Sequence, residues 1–383
     1  MSLVSLVRCN DYQPQRVYDS VKKAIHLIGG IEKLIKPSNT VLLKINLLSA
    51  SSPERAIITH PSLVRAMVRL LKESGAIVWV GDAASTGGMG SDLRLGNAFD
   101  VGGIREVVEK EGGQIVNFNH HGYRRIQVPG AKRLTEINLA EPVLEADVVI
   151  SLPKLKTHEL TFLTGAVKNF FGCVPSGDRF RAHQLSKERE FAEAVVDIYS
   201  VCRPKLAVMD AVVAMEGEGP SAGDPTNVGA LLASFDCVSL DVVASQLTSF
   251  RPEEILTSVD AIERGIGPES LEEVRTVGEE LKGLINKDFK KPALYRNSAV
   301  RSLRRLLTPL GINIFRVFPR LDQSRCSRCG LCEEKCPVGA IRLDPLPLIN
   351  NEECIQCFVC HEFCPEGAIE LKRSWIARRL QRR

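Results

Sequence analysis

No stretch of this sequence is long and apolar enough to lie across a membrane. The longest apolar runs, such as Ala230 to Phe235 and Val148 to Leu152, fall well short of the roughly 20 residues a spanning helix requires. The opening segment, Met1 to Asn10, lacks the basic start, apolar stretch and small-residue cleavage site of a secretory signal, and reads as an alternating strand. A cytoplasmic location is the expectation. No P-loop or dinucleotide-binding fingerprint is present, so neither an ATP nor an NAD site is expected. No helix-turn-helix or zinc-finger pattern occurs, and aromatic residues, 5% of the total, interleave only weakly with basic ones. Nucleic acid is therefore not an expected partner.

What remains is an ordinary globular composition, 44% hydrophobic and 25% charged over 383 residues, enough for one large domain and a small appended one. Up to about residue 285, apolar β-branched runs alternate with stretches of helical periodicity, the pattern of an α/β fold with a mostly parallel sheet covered by helices. Strands are expected at Val4 to Arg8, Thr40 to Ile45, Ile77 to Gly81, Gln114 to Phe118, Asp147 to Leu152, Leu206 to Asp210 and Ala230 to Phe235. Pro14 to Ile35 and Pro61 to Ser74 place apolar residues on one helical face.

The net charge of +4 hides a segregation. Lys282 to Arg320 holds ten basic residues against one acidic, net +9; Cys326 to Leu371 holds three against eight, net −5; Lys372 to Arg383 holds six and none. The expected organisation is an α/β domain over 1–285, a basic connector over 286–321, an acidic module over 322–372 and a basic tail over 373–383. Within the connector, Val300, Leu303, Leu306 and Leu307 form an apolar helical face opposite Arg301, Arg304 and Arg305. Docking of this basic helix on the acidic module is expected in preference to contact with a membrane surface.

Eight of the twelve cysteines define the module. Cys326, Cys329, Cys332 and Cys336-Pro337 recur twenty-eight residues later as Cys354, Cys357, Cys360 and Cys364-Pro365. This is the duplicated motif of a bacterial-type ferredoxin holding two [4Fe-4S] clusters, an α+β ferredoxin-like domain in which the fourth cysteine of each run ligates the other cluster. One cluster should use Cys326, Cys329, Cys332 and Cys364; the other should use Cys354, Cys357, Cys360 and Cys336. Paired Cys-x2-Cys motifs also bind zinc, but neither a third cysteine at that spacing nor the Cys-Pro ending is needed for it. With every ligand a cysteine, electron transfer is the expected role. The other four, Cys9, Cys173, Cys202 and Cys237, are expected as buried small hydrophobes.

In the large domain, Asp147 to Leu152 runs into a Pro-broken cationic loop with Lys154, Lys156 and His158, followed by Lys168 and Asn169 on a helix and by Asp178, Arg179 and His183. Cations beyond the end of a strand suggest an anionic ligand, where open α/β sheets bind theirs. Lys156 and Lys168 would hold the anion with Asn169 nearby. His158, with an unperturbed pKa of about 6.5, would move a proton. Asp210, ending another strand, would orient His158 or bind a metal, and the glycine-rich run Glu216 to Gly223 could present backbone N–H groups.

Taken in order, Leu43-Lys44-Ile45-Asn46, Thr59-His60-Pro61, Val80-Gly81-Asp82, Lys154 to His158, Gly165 to Asn169, Asp210 with Glu216 to Pro220, and Leu240-Asp241 resemble the domain-of-unknown-function family 362. Its members often carry the same ferredoxin tail, and Ile45 stands where the family often has proline. The resemblance implies the fold and the cluster content but no substrate. A more distant similarity to nickel-dependent lactate racemases rests on the Lys and His segment, and their cofactor is not carried over. Two functions compete: a ferredoxin-linked oxidoreductase acting on a small anionic substrate with a redox partner protein, or an electron-carrier or assembly subunit whose α/β domain binds a partner protein without chemistry of its own.

Overall fold

The computed structural model describes residues 2–83, 98–185, 187–292, 295, 317–336, 338–355 and 357–373. Six expected strands appear within a residue at their starts, β1 Leu3–Arg8, β2 Thr40–Ile45, β3 Ile77–Asp82, β4 Gln114–Asn117, β7 Val148–Leu152 and β10 Leu206–Glu216, and the seventh, β11 Asp224–Ser234, starts six residues before the expected Ala230. Five further strands complete this region: the hairpin β5 Tyr123–Gln127 with β6 Glu136–Ala140, then β8 Lys154–His158, β9 Phe162–Thr164 and β12 Arg275–Gly278.

The main sheet runs β12-β1-β11-β10-β7-β2-β3-β4, with β8 pairing β10 and β9. Pairings of β1 with β12, of β7 with β2 and β10, and of β3 with β2 and β4 are parallel. β11 is antiparallel to β1 and to β10, so the sheet is mostly parallel but mixed. Helices cover both faces. Helices Pro14–Leu27 and Pro61–Glu73 bury Val17, Val21, Leu63 and Met67 with Val41 and Leu43 on one side. Helices Glu188–Cys202 and Cys237–Leu247 bury Phe191 and Leu240 with Leu42 and Met209 on the other. The first helix stops short of Ile35 because Gly29 and Gly30 take φ of 117° and 88°, a region other residues avoid. Cys9, Cys173, Cys202 and Cys237 are buried, as expected.

The segment after Pro153 is a strand, not a loop. Proline removes one donor from the ladder, but β8 carries on along β10 where β7 left it, and the Pro153 carbonyl accepts the Asp210 N–H at 2.9 Å. This continuation sets Lys154 beside Asp210.

Phe289 packs into the large core, and the Lys290 carbonyl accepts the Gly217 N–H at 2.7 Å. Near the cysteines, β13 Val317–Leu321 pairs antiparallel with β16 Ile369–Arg373. Between them lie the small hairpin of β14 Ile341–Leu343 with β15 Pro347–Ile349 and two short helices. The expected connector helix with Arg301, Arg304 and Arg305 lies outside the described residues, as does most of the tail.

Candidate functional site

A pocket with about 520 Å³ of empty space, mouth included, opens at the carboxyl ends of β2 and β3. Lys44, Lys156, Lys168 and Arg179 line it with His183, against one lining carboxylate among the described residues, Asp82. Lys44 pairs with Asp82 at 2.9 Å and donates to the Ile45 carbonyl at 2.6 Å. Burial raises the Asp82 carboxyl above its ordinary range in spite of Lys44, and burial also works against the Arg179 charge. Gly172 lets the chain pass over this pair, since a Cβ there would lie 2.3 Å from Asp82 Oδ1 and 3.1 Å from Lys44 Nζ.

Lys168 and Asn169 reach the pocket from the short helix Ala166–Asn169, which Asp241 holds by accepting the Ala166 and Val167 N–H groups at 2.6 and 3.0 Å. Gly165 is required there, because its Cβ would fall 2.1 Å from Asp241 Oδ1. Burial pushes the Asp241 carboxyl up to about 7. Asn169 is fixed by the Lys44 carbonyl at 2.9 Å and the Ser151 hydroxyl at 3.1 Å. The Lys168 ammonium sits 4.9 Å from the Phe171 ring centre, a favourable cation–π distance. Lys156 extends from β8 and donates to the Ile57 carbonyl at 2.7 Å. The Thr164 hydroxyl, 3% exposed in the same wall, has no hydrogen-bond partner among the described residues.

Lys156, Lys168 and Asn169 thus converge, whereas His158 and Asp210 are not in the wall. His158 Nδ1 accepts the Leu160 and Thr161 N–H groups at 3.1 and 3.3 Å, which places the proton of the neutral ring on Nε2 and fixes the β8–β9 turn. Its ring stacks on Phe191, behind the pocket. Asp210 belongs to a separate buried network. It takes the Lys154 ammonium at 2.8 Å, the Tyr12 hydroxyl at 2.7 Å and the His60 N–H at 3.0 Å. Burial alone would raise Asp210, but Lys154 and these hydrogen bonds hold it below the ordinary carboxylate range. Both of its oxygens accept within this network, which does not include His158.

His60 gives this network a pH signature. Its ring lies parallel to Tyr12 at 3.5 Å, and Nδ1 accepts the Ser62 N–H as a helix cap. Burial lowers its pKa from 6.5 to about 4, with Lys154 adding to the shift and Asp210 opposing it. Between those values the unfolded chain binds the extra proton, so stability is full above pH 6.5 and falls as pH drops toward 4. Going from pH 7 to 5, wild type should lose about 2 kcal/mol more than His60→Asn, which keeps a capping side chain without the titration. Urea unfolding at the two pH values measures the difference; equal losses would refute it.

The glycine-rich run does not aim its amides at the pocket. Gly217 N–H goes to Lys290 and Gly219 N–H to the Thr157 hydroxyl at 3.1 Å, while Pro220 lines the wall. Its carbonyls face the cysteine module instead: His361 Nε2 lies 3.2 Å from the Glu218 carbonyl, and the Ser221 hydroxyl donates to the His361 carbonyl at 3.2 Å. Arg55 adds a bond to the Pro365 carbonyl at 2.9 Å. This docking brings Phe363 into the wall of the cationic pocket.

Inside the module, Cys326, Cys329, Cys332 and Cys364 surround one small pocket, and Cys336, Cys354, Cys357 and Cys360 surround another. Each therefore gathers three cysteines of one run and the last of the other. Four thiols around one small cavity are the ligand number of a cubane cluster. Burial pushes the Cys332 thiol up to about 11 and Cys360 well above its ordinary value, so a metal has to draw off these protons.

The profile of the family described as "Domain of unknown function (DUF362)" matches residues 41–246, and the chain is 34% identical over 281 residues to a thylakoid-associated protein of Synechocystis sp., covering 70% of this chain and 81% of that one. The chain belongs to the DUF362 family. This DUF362 protein also carries a 4Fe-4S binding domain, matched over residues 319–342, and is an iron-sulfur protein. Among solved structures it matches the lactate racemase apoprotein of Thermoanaerobacterium thermosaccharolyticum with a TM-score of 0.40 at 13% identity, covering 67% of this chain and 58% of the racemase. Among the described residues no helix is long and apolar enough to cross a membrane.

Of the pocket's walls, Lys44, Asp82, Arg179 and His183 were visible as family motifs or nearby cations without an assigned role. Phe363 carried no signal, because its place depends on how the module docks.

Proposed function

We propose that this protein is a ferredoxin-linked redox enzyme, in which two [4Fe-4S] clusters exchange electrons with a small anionic substrate held in the cationic pocket of the α/β unit. One observation carries the reading: Phe363, the residue before Cys364, lines the same pocket as Lys44, Lys156, Lys168 and Arg179. A pocket for an anion and a cysteine of the module are thereby brought to neighbouring residues. Each cluster, when bound, supplies or accepts a single electron.

The chain's own groups do the rest. Lys156, Lys168 and Arg179 hold the anion, and Thr164 directs its hydroxyl to it. Phe363 and Pro220 keep water out, which strengthens the charge interactions inside. The proton-moving role passes from His158 to the groups in the wall, Asp82 and His183, with Asp82 already raised by burial.

The test is anaerobic purification followed by mass spectrometry of the small molecules released on unfolding. A stoichiometric anion is expected from wild type and should be missing from Lys156→Met/Lys168→Met, whose iron content stays unchanged. If wild type releases none, and phosphate, oxalate and succinate all leave its electron paramagnetic resonance spectrum unaltered, the partner-binding subunit is the correct reading. A cytoplasmic location belongs to the same proposal, with a membrane surface as its competitor because the relative is thylakoid-associated; recovery in the membrane fraction at high salt would overturn it.

A further inference from the structure

The duplicated motif makes the two cysteine pockets look equivalent, and their hydrogen bonding supports that: Cys336 Sγ accepts the Ala340 N–H at 3.2 Å and Cys364 Sγ accepts the Ala368 N–H at 3.1 Å. Their surroundings are unequal. In the first motif Cys329 is exposed and Cys326 partly so, beside exposed Arg325, Ser327 and Arg328. In the second, Cys357 and Cys360 are each 7% exposed, Phe358 between them is part of the large unit's core, and Val359 is fully buried. The contacts to the α/β unit described above come from Phe358, His361, Phe363 and Pro365, all in the second half of the module. A Cβ on Gly367 would lie 3.4 Å from that of Ala222, so this side of the module is pressed close to the loop after β10.

We propose that the two pockets are ordered. The pocket of Cys326, Cys329, Cys332 and Cys364 is the port at which a soluble one-electron carrier gives up or collects its electron, and the pocket of Cys336, Cys354, Cys357 and Cys360 is an inner site sealed by the α/β unit. The argument is one of access. A carrier protein must approach a cluster closely, the first loop presents a cysteine to solvent, and the second loop is held against the large unit's core by Phe358. Solvent exposure also tunes cluster potential, so equal sequence motifs here give unequal redox sites.

The order rests on both pockets holding a cluster, and the experiment separates the two claims. Anaerobic protein should first be shown to contain about eight irons per chain; a count near four would remove the two-cluster reading itself. The intact protein is then treated with bathophenanthroline and a mild oxidant, and thiols freed over time are alkylated with iodoacetamide and mapped by mass spectrometry. Iron should leave in two phases, half in each, with Cys326, Cys329, Cys332 and Cys364 labelled in the faster one. Phe358→Ala, which opens the seal, should bring the phases together. Labelling of all eight cysteines in one phase, or of the Cys357 and Cys360 set first, overturns the order whatever the α/β pocket binds.

Discussion

Cys336→Ser should damage the cluster site of a distant stretch of sequence rather than its own. Cys336 follows Cys326, Cys329 and Cys332 in the chain, yet it lines the pocket of Cys354, Cys357 and Cys360. Its neighbours in sequence line the other pocket, completed by Cys364. The crossing follows from the spacing. Two-residue gaps keep three thiols in one loop, and the Cys-Pro turn directs the fourth into the other half. Removing the thiolate takes away one of four ligands, and second-motif iron should fall by most of its value while first-motif iron is retained. The serine variant, purified without oxygen, is assayed for iron and sulfide and its thiols mapped by alkylation; reactive Cys354, Cys357 and Cys360 are the expected pattern. Reactive Cys326, Cys329 and Cys332 instead would show that each run ligates its own cluster.

Asp210→Asn should have the largest effect on folding. Asp210 and Lys154 are both fully buried and meet at 2.8 Å. Neutralising one member leaves the other's charge in the interior, and breaking such a pair costs about 3 to 5 kcal/mol, a large part of what holds a domain folded. Part of the loss is recovered when Lys154 gives up its proton, toward which burial already drives it. The wild-type pair contributes stability above the unfolded carboxylate pKa of about 3.9 and loses it as pH falls through the depressed Asp210 value. Adding Lys154→Met to Asp210→Asn should restore much of the urea midpoint, because the uncompensated charge is then gone. A single variant within about 0.5 kcal/mol of wild type would rank this pair with surface ones.

How much of this was legible in the sequence depended on how local each feature is. The cysteine motifs specify their own turns, so spacing was enough to pair the sets, and strands such as β2 and β3 announce themselves by runs of Val, Leu and Ile. That Lys156, Lys168 and Asn169 share one pocket wall follows the rule that clefts open beyond strand ends in any sheet of this type. His158 and Asp210 lie outside that wall for one reason. Proline ends most ladders, and only the alignment of β8 on β10 shows that this one resumes and sets Lys154 beside Asp210. That pairing joins residues 56 apart, and no local pattern encodes it.

The roof of the cationic pocket has a consequence for how the protein comes into being. Chains emerge from the ribosome N-terminus first, and domains fold as units in that order. Lys44, Asp82, Lys156, Lys168 and Arg179 can thus take their places while Phe363 is still unmade. Until the cysteine module is synthesised and seated on Ser221 and Arg55, the pocket has no lid and its cations face water. A small molecule that meets the nascent chain at that stage therefore meets an open, hydrated cleft, and one that meets the finished chain meets a cleft walled in part by the last-made segment.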